Sequence, residues 1–203
     1  MIITHQQGRG KKIHLLIDGE YQITTDIDFW AENFIKDSTD ISEDEWQKLV
    51  EKINYKKAIN KCYDLLSRRD HSVKELRTKL VRTADENSAD KAIEKMLELG
   101  YLDDEKYART LINHLVNTKK MSVSFIKQEM FKRGIDSDII SQCLEEIEID
   151  SVDNIVDLIL TKYQNKLSKD DGKEKGVAAL MRKGFSYSDI KSAFYRIEND
   201  EYI

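Results

Sequence analysis

Ten basic side chains at recurring positions are the residues of this 203-residue chain best placed to do chemistry. That chemistry is the recognition of negative charge. Arg68, Arg69, Lys74, Arg77 and Arg82 lie in or beside one predicted helix, and Lys119, Lys120, Lys127, Lys132 and Arg133 occupy matching or nearby places about fifty residues later. Residues 65–82, 118–134 and 162–183 each carry a net charge of +4, whereas residues 18–51 carry −9 and residues 136–157 hold eight acids and no base. The whole chain is at −5, which argues against a general nucleic-acid coat. A basic stripe between acidic flanks attracts phosphate, or an acidic protein groove, and restricts where it docks. The plainer account, solvated helix faces, explains most charge runs; recurrence at one place in each repeat is what the docking account adds.

Other chemistry is missing from the sequence. There is no GxxxxGK[ST] loop and no GxGxxG, so no glycine loop cradles phosphate. His5, His14, His71 and His114 do not fall at metal-ligand spacing with one another or with Cys62 and Cys143. His71, beside a helix start, is expected at the surface or next to the cap. Asp103, Asp104 and Glu105 read as acidic charge at a helix start, which suits its positive end, rather than as metal ligands. No nucleophile has a recognisable base. No enzyme, no cofactor and no metal site are expected. Cys62 and Cys143 sit on apolar faces and are expected as buried small hydrophobes of a reducing compartment.

The elements that must carry the basic residues are helices. Around residues 65–108, Ser72 with Glu75 forms an S-x-x-E capping box, and Val73, Leu76 and Leu80 share a face. A second helix starts at Asn87 or Ser88, follows Ile93, Met96 and Leu97, and stops at Gly100. Asp103 caps the next. Val123, Ile126 and Met130 repeat the pattern fifty residues on, and Leu180 and Gly184 fifty beyond Met130 and Gly134. Behind these turns come Ile140, Cys143 and Leu144, then Ile190, Ala193 and Phe194. A three-helix unit is thus repeated. Ala84 stands where Gly134 and Gly184 stand in the later units, and Gly176 where they have Leu76 and Ile126.

The segments LLSRRDHSVKEL, LELGYLDDEKYA and IKQEMFKRGI, in this order and at these separations, resemble the RecX family of recombination regulators from roughly Asn54 to Ile197. The first two repeats match closely and the third weakly. The resemblance implies tandem three-helix repeats and a regulator that binds the RecA recombinase filament, limiting its growth, ATP hydrolysis and strand exchange in DNA repair and the SOS response. Single-stranded DNA is a further candidate ligand.

Ahead of the repeats, residues 12–25 read as a β-hairpin turning at Asp18-Gly19. Ile13, Leu15 and Ile17 alternate on one arm, Tyr21 and Ile23 on the other, and a helix bearing Ile27, Trp30, Ala31 and Phe34 covers them. A helix from Ser42 carries Trp46, Leu49, Val50 and Ile53, and another over residues 55–68 opens the first repeat. The expected fold is all-α: tandem three-helix repeats in an elongated solenoid-like body, with a small N-terminal β-hairpin plus helix. The expected divisions are 1–54, 55–101, 102–150 and 151–203. The polar loop 165–172 is a candidate flexible joint. The start MIITHQQGRGKK lacks the apolar segment of a signal peptide, and no run approaches the ~18 apolar residues of a membrane span. A cytoplasmic monomer is expected, without membrane association. A second reading makes each last helix pair a helix-turn-helix acting on DNA directly. Against it, the would-be recognition helices are neutral or acidic, as in 138–146, and bring few donors to base edges.

Overall fold

The computed structural model describes residues 1–33, 36–163 and 172–199. The chain divides into two compact units, residues 1–69 with 76–101, and residues 70–75 with 102–203.

The first unit begins with a sheet of four antiparallel strands rather than two. β1 (Ile2–Gln7), β2 (Lys12–Ile17), β3 (Glu20–Asp26) and β4 (Thr39–Asp40) lie in the order β3-β2-β1-β4. The β2–β3 hairpin turns at Asp18-Gly19, where both residues have positive φ, the conformation a two-residue hairpin turn needs. β1 escapes a periodicity reading because Ile3 is its only buried residue. Backbone pairing with β2 holds it, and Asp18 accepts the Ile2 N–H at 2.8 Å. The arms of the hairpin do not stay in step. Leu15 pairs with Ile23 but Leu16 with Tyr21, so Gln22 is the extra residue of a bulge. Ile23 stays with the core while Tyr21 is left 61% exposed against His14.

α1 (Ile27–Asn33) covers the sheet through Phe29, with Trp30 partly buried; Ile27 and Ala31, expected inward, are exposed. Phe34 lies outside the described residues. The two helices expected next are one, α2 (Glu43–Leu66). No glycine or proline interrupts it. Ser42 accepts the Glu45 N–H and Glu45 accepts the Ser42 N–H at 2.8 Å, the reciprocal box that starts the helix. Trp46 and Ile53 of α2 join Ile3, Ile13, Leu15, Ile17 and Phe29 in one core.

α3 (Val73–Leu80) starts at the expected Ser72/Glu75 box. α4 (Glu86–Glu98) starts earlier than expected, capped by Asp85, and packs on α2. Its buried line is Ala89, Ala92, Ile93 and Met96. Leu97 is 45% exposed, because one residue past Met96 is about 100° round the helix. Gly100, at φ 71°, ends it with a Tyr101 N–H to Met96 carbonyl bond.

The second unit holds two further helix triplets. α5 (Asp104–Asn113), capped by Asp103, runs into a π turn at His114–Thr118, and α6 (Val123–Lys132) and α7 (Ser137–Glu145) follow. They enclose Ala108, Ile112, Ile126, Met130, Ile140 and Cys143. α8 (Ser151–Leu158) ends in a π turn at Ile159–Tyr163, and α9 (Gly172–Arg182) and α10 (Tyr187–Glu198) complete the set around Ile155, Leu180, Phe185 and Ile190. Gly176 is buried in α9 where α3 and α6 bury Leu76 and Ile126, and a third core forms without that side chain. All of the loop 165–172 but Gly172 lies outside the described residues. Among the described residues, no helix is long and apolar enough to cross a membrane.

Cys62 and Cys143 are unpaired and buried. Burial pushes the Cys62 thiol up to about 11 and that of Cys143 above its ordinary value. Since the thiolate is the nucleophile, a disulfide-exchange reagent at pH 8 is expected to label neither cysteine in the native protein within minutes, and both after unfolding in urea. Rapid labelling before unfolding would contradict this packing.

Candidate interaction surface

The positions of the middle helices α3, α6 and α9 follow from their caps and glycines. Ser72 and Ser122 cap α3 and α6 by accepting the N–H groups of Glu75 and Phe125 at 3.1 Å. The second unit seats a capping serine on a later carbonyl twice, through different donors. The Ser72 hydroxyl donates to the Arg133 carbonyl just after α6, and the Ser122 N–H donates to the Lys183 carbonyl just after α9. The following glycines, Gly134 and Gly184, are left-handed and press against Lys74, and against Ser122 and Phe125, respectively. Each cap is thus seated on the C-terminal turn of a later middle helix. The cap satisfies an orphan carbonyl there, with its hydroxyl at Ser72 and its backbone N–H at Ser122, and glycine is the residue that both φ and space admit.

These contacts sort the ten basic residues by availability. Arg133 is turned inward. Its guanidinium donates to Glu129 at 2.8 and 3.1 Å, to Glu75 at 3.2 Å and to the Tyr107 hydroxyl at 2.7 Å, while that hydroxyl donates to Glu75 at 3.3 Å. Burial opposes its charge; the bonds to Glu129 and Tyr107 outweigh this and leave its pKa above the ordinary value. Arg77 is forked on Asp90 at 2.6 and 3.0 Å within the first unit. Arg68 pairs with Asp64 at 2.6 Å and Lys120 with Asp157 at 3.2 Å. Arg69 and Lys74 are exposed and each makes polar or electrostatic contacts. Arg82, Lys119, Lys127 and Lys132 are exposed, and no side-chain ion pair engages them among the described residues.

One basic feature was not singled out by sequence. The Lys183 ammonium, half-buried, donates to the Lys119 carbonyl at 2.5 Å. Burial first, then the neighbouring Lys162 and Lys119 ammonium groups, lower its pKa. Three lysines therefore crowd one corner of the second unit. Their crowding depends on a contact across 64 residues, which no local pattern announces.

His71 is buried rather than at the surface, 3% exposed beside the buried Ser72. Asp103 caps α5, and Asp104 accepts the Val73 N–H at 2.9 Å. Burial raises the Asp104 pKa. These carboxylates serve the backbone, and no cluster of His, Cys, Asp and Glu suited to a metal is found among the described residues. In the first unit an open groove of about 480 Å³ between α2 and α4 is lined by Lys48, Glu51, Lys52, Lys91 and Glu94 among others. Acids and bases alternate there, so it selects no sign of charge.

The model of the RecX first three-helix domain matches residues 58–96, and that of the RecX second three-helix domain matches residues 103–144. Curated relatives are similar over nearly the whole chain. The regulatory protein RecX of Clostridioides difficile (strain 630) is 28% identical over 205 residues, 98% of this chain and 96% of that one. The regulatory protein RecX of Caldanaerobacter subterraneus subsp. tengcongensis is 28% identical over 196 residues, 95% and 98% of the two chains. Among solved structures, a crystal structure of regulatory protein RecX aligns with a TM-score of 0.61 at 19% identity, covering 95% of this chain and 97% of that one. That likeness is one of fold. The crystal structure of RecX from Lactobacillus salivarius aligns at 0.56 with 25% identity, over 71% and 97% of the two chains.

Proposed function

Since the chain belongs to the RecX family, whose members are named regulatory proteins, we propose that it binds the RecA recombinase–DNA filament and inhibits its assembly, ATP hydrolysis and strand exchange. The observation that carries this reading is the set of outward cations Arg82, Lys119, Lys127 and Lys132, which no side-chain ion pair neutralises among the described residues. Cations already satisfied by a carboxylate must break that pair before meeting a partner. These four need not, and they can steer and orient an acidic surface. The acids of residues 136–157 restrict where such a surface docks. The repeat divisions 55–101, 102–150 and 151–203 make each basic patch a part of one repeat, and the protein acts in the cytoplasm as a monomer.

The test is a recombinase ATPase and filament-assembly assay with and without the protein. The parent chain is expected to slow both, and less so as salt rises. Arg82→Glu, Lys119→Glu, Lys127→Glu and Lys132→Glu together are expected to remove inhibition with the helical spectrum and melting nearly unchanged, because isolated surface changes cost within about 0.5 kcal/mol each. Inhibition by the fourfold variant at parental concentration would reduce these cations to a solvated face. Equal loss of binding to bare single-stranded DNA and to filament would favour the direct DNA binder, the second reading of the repeats.

A further inference from the structure

The three middle helices, each taken with the turn that ends it, are internal copies, so their exposed positions can be compared within one chain. Val81 and Arg82 lie in the turn just past α3, and their counterparts in the last turn of α6 and α9. Most have drifted. Positions 74, 124 and 174 hold Lys, Ser and Glu, and positions 78, 128 and 178 hold Thr, Gln and Ala. Two neighbouring positions have not. Positions 81, 131 and 181 hold Val, Phe and Met, which are 36%, 53% and 52% exposed. Positions 82, 132 and 182 hold Arg, Lys and Arg, all exposed. Each pair directly follows a fully buried side chain, Leu80, Met130 or Leu180. An exposed apolar side chain needs no explanation when it stands alone. An apolar side chain beside a cation at the same exposed place three times does, because solvent alone favours polar residues there and the identities have otherwise diverged.

We propose that Val81–Arg82, Phe131–Lys132 and Met181–Arg182 are three equivalent docking elements, one per repeat, each placing an apolar anchor in an acid-rimmed apolar pocket of a protein partner. The occupant is a protein assembly that presents the same pocket on successive identical subunits, and this rests on the filament reading above. Charge argues for an acidic rim, since no ion pair engages Arg82, Lys132 or Arg182 among the described residues. Side-chain chemistry argues against nucleic acid as the occupant. Stacking on bases needs a π face, and of the three anchors only Phe131 has one. Apolar anchors that fill a desolvated pocket carry most of the energy of a protein interface, while rim charges add orientation.

The test uses the full chain and a preassembled recombinase filament on single-stranded DNA, with binding followed by co-sedimentation. Val81→Ser, Phe131→Ser and Met181→Ser together are expected to weaken binding at least ~100-fold, and each alone about tenfold or less, since truncating an anchor is the largest single loss an interface shows. Val81→Ile, Phe131→Leu and Met181→Leu together keep three apolar anchors and are expected to bind within about threefold of the parent. The serine and apolar variants should both keep the parental helical spectrum. Parent-like binding by the serine variant overturns the docking elements and leaves the filament reading standing. Failure of the parent itself to bind filament overturns that reading and the partner named here with it. Equal loss on bare single-stranded DNA would make the elements a nucleic-acid contact. A parental self-association that the serine variant loses, seen by sedimentation without filament, would make the occupant a second copy of this chain. Either result overturns the proposal.

Discussion

Gly184→Ala is expected to destabilise the second unit by about 2–5 kcal/mol, clearly more than Gly100→Ala. Both glycines are left-handed, at φ 86° and 71°, and a Cβ in that region costs roughly 1–2 kcal/mol. Their surroundings differ. A Cβ on Gly100 meets open space, whereas one on Gly184 meets the Ser122 hydroxyl, the Phe125 Cβ at 2.9 Å and the Phe125 backbone nitrogen at 3.2 Å. The backbone nitrogen cannot swing aside as a flexible side chain does, and overpacking of this kind adds about 1–3 kcal/mol. Gly134→Ala should fall near Gly184→Ala, since its Cβ would come within 2.6 Å of the Lys74 Cβ, which the backbone holds in place. Urea unfolding followed by circular dichroism measures all three. Equal costs at Gly100 and Gly184 would mean that α9 is not seated on the Ser122 cap as described.

Arg133→Ala is the second large effect expected, a loss of about 2–3 kcal/mol. Glu75 and Glu129 are 19% and 24% exposed and both pair with this guanidinium, which is itself 26% exposed. Removing it takes a cation from two largely buried carboxylates and a donor from the Tyr107 hydroxyl, although Glu75 keeps its bonds from the Ser72 N–H and the Tyr107 hydroxyl. Breaking a fully buried pair costs about 3–5 kcal/mol, and residual solvent contact reduces that here. The adjacent Lys132→Ala, at an exposed site, should cost within about 0.5 kcal/mol. The contrast is informative because the two residues have the same charge and adjoin in sequence. Adding Glu75→Gln to Arg133→Ala should recover part of the loss, since a neutral amide is less costly to leave without a cation. Equal melting temperatures for Arg133→Ala and Lys132→Ala would show that the network adds nothing to stability.

The tandem triplets, their helix starts and their stops are properties of the sequence itself, for a local reason. Ser42, Ser72, Asp103 and Ser122 cap the helices that follow them because the groups they satisfy lie two or three residues away. Gly100, Gly134 and Gly184 end helices because φ is a property of one residue. The Asp18-Gly19 hairpin is local in the same sense. Ala84 shows the limit of that reasoning. It stands where the later repeats have glycine, yet its backbone is not left-handed, so α3 ends by another route, with the Thr83 and Ala84 N–H groups both bonded to the Leu80 carbonyl.

What the tertiary structure alone decided involves partners distant in the chain. β1 and β4 exist because strands elsewhere offer them backbone groups, and the bulge at Gln22 reverses the face that simple alternation assigns to Tyr21. His71 stands in a charged stretch beside a helix cap, and yet it is buried. Sequence marks Arg77, Arg82, Lys132 and Arg133 alike as positive charges on or beside a middle helix. Folding brings Asp90 to Arg77, and Glu75 and Tyr107 to Arg133, and leaves Arg82 and Lys132 facing solvent. A charge is fixed by residue type, but its availability depends on whether a carboxylate from another part of the chain arrives first.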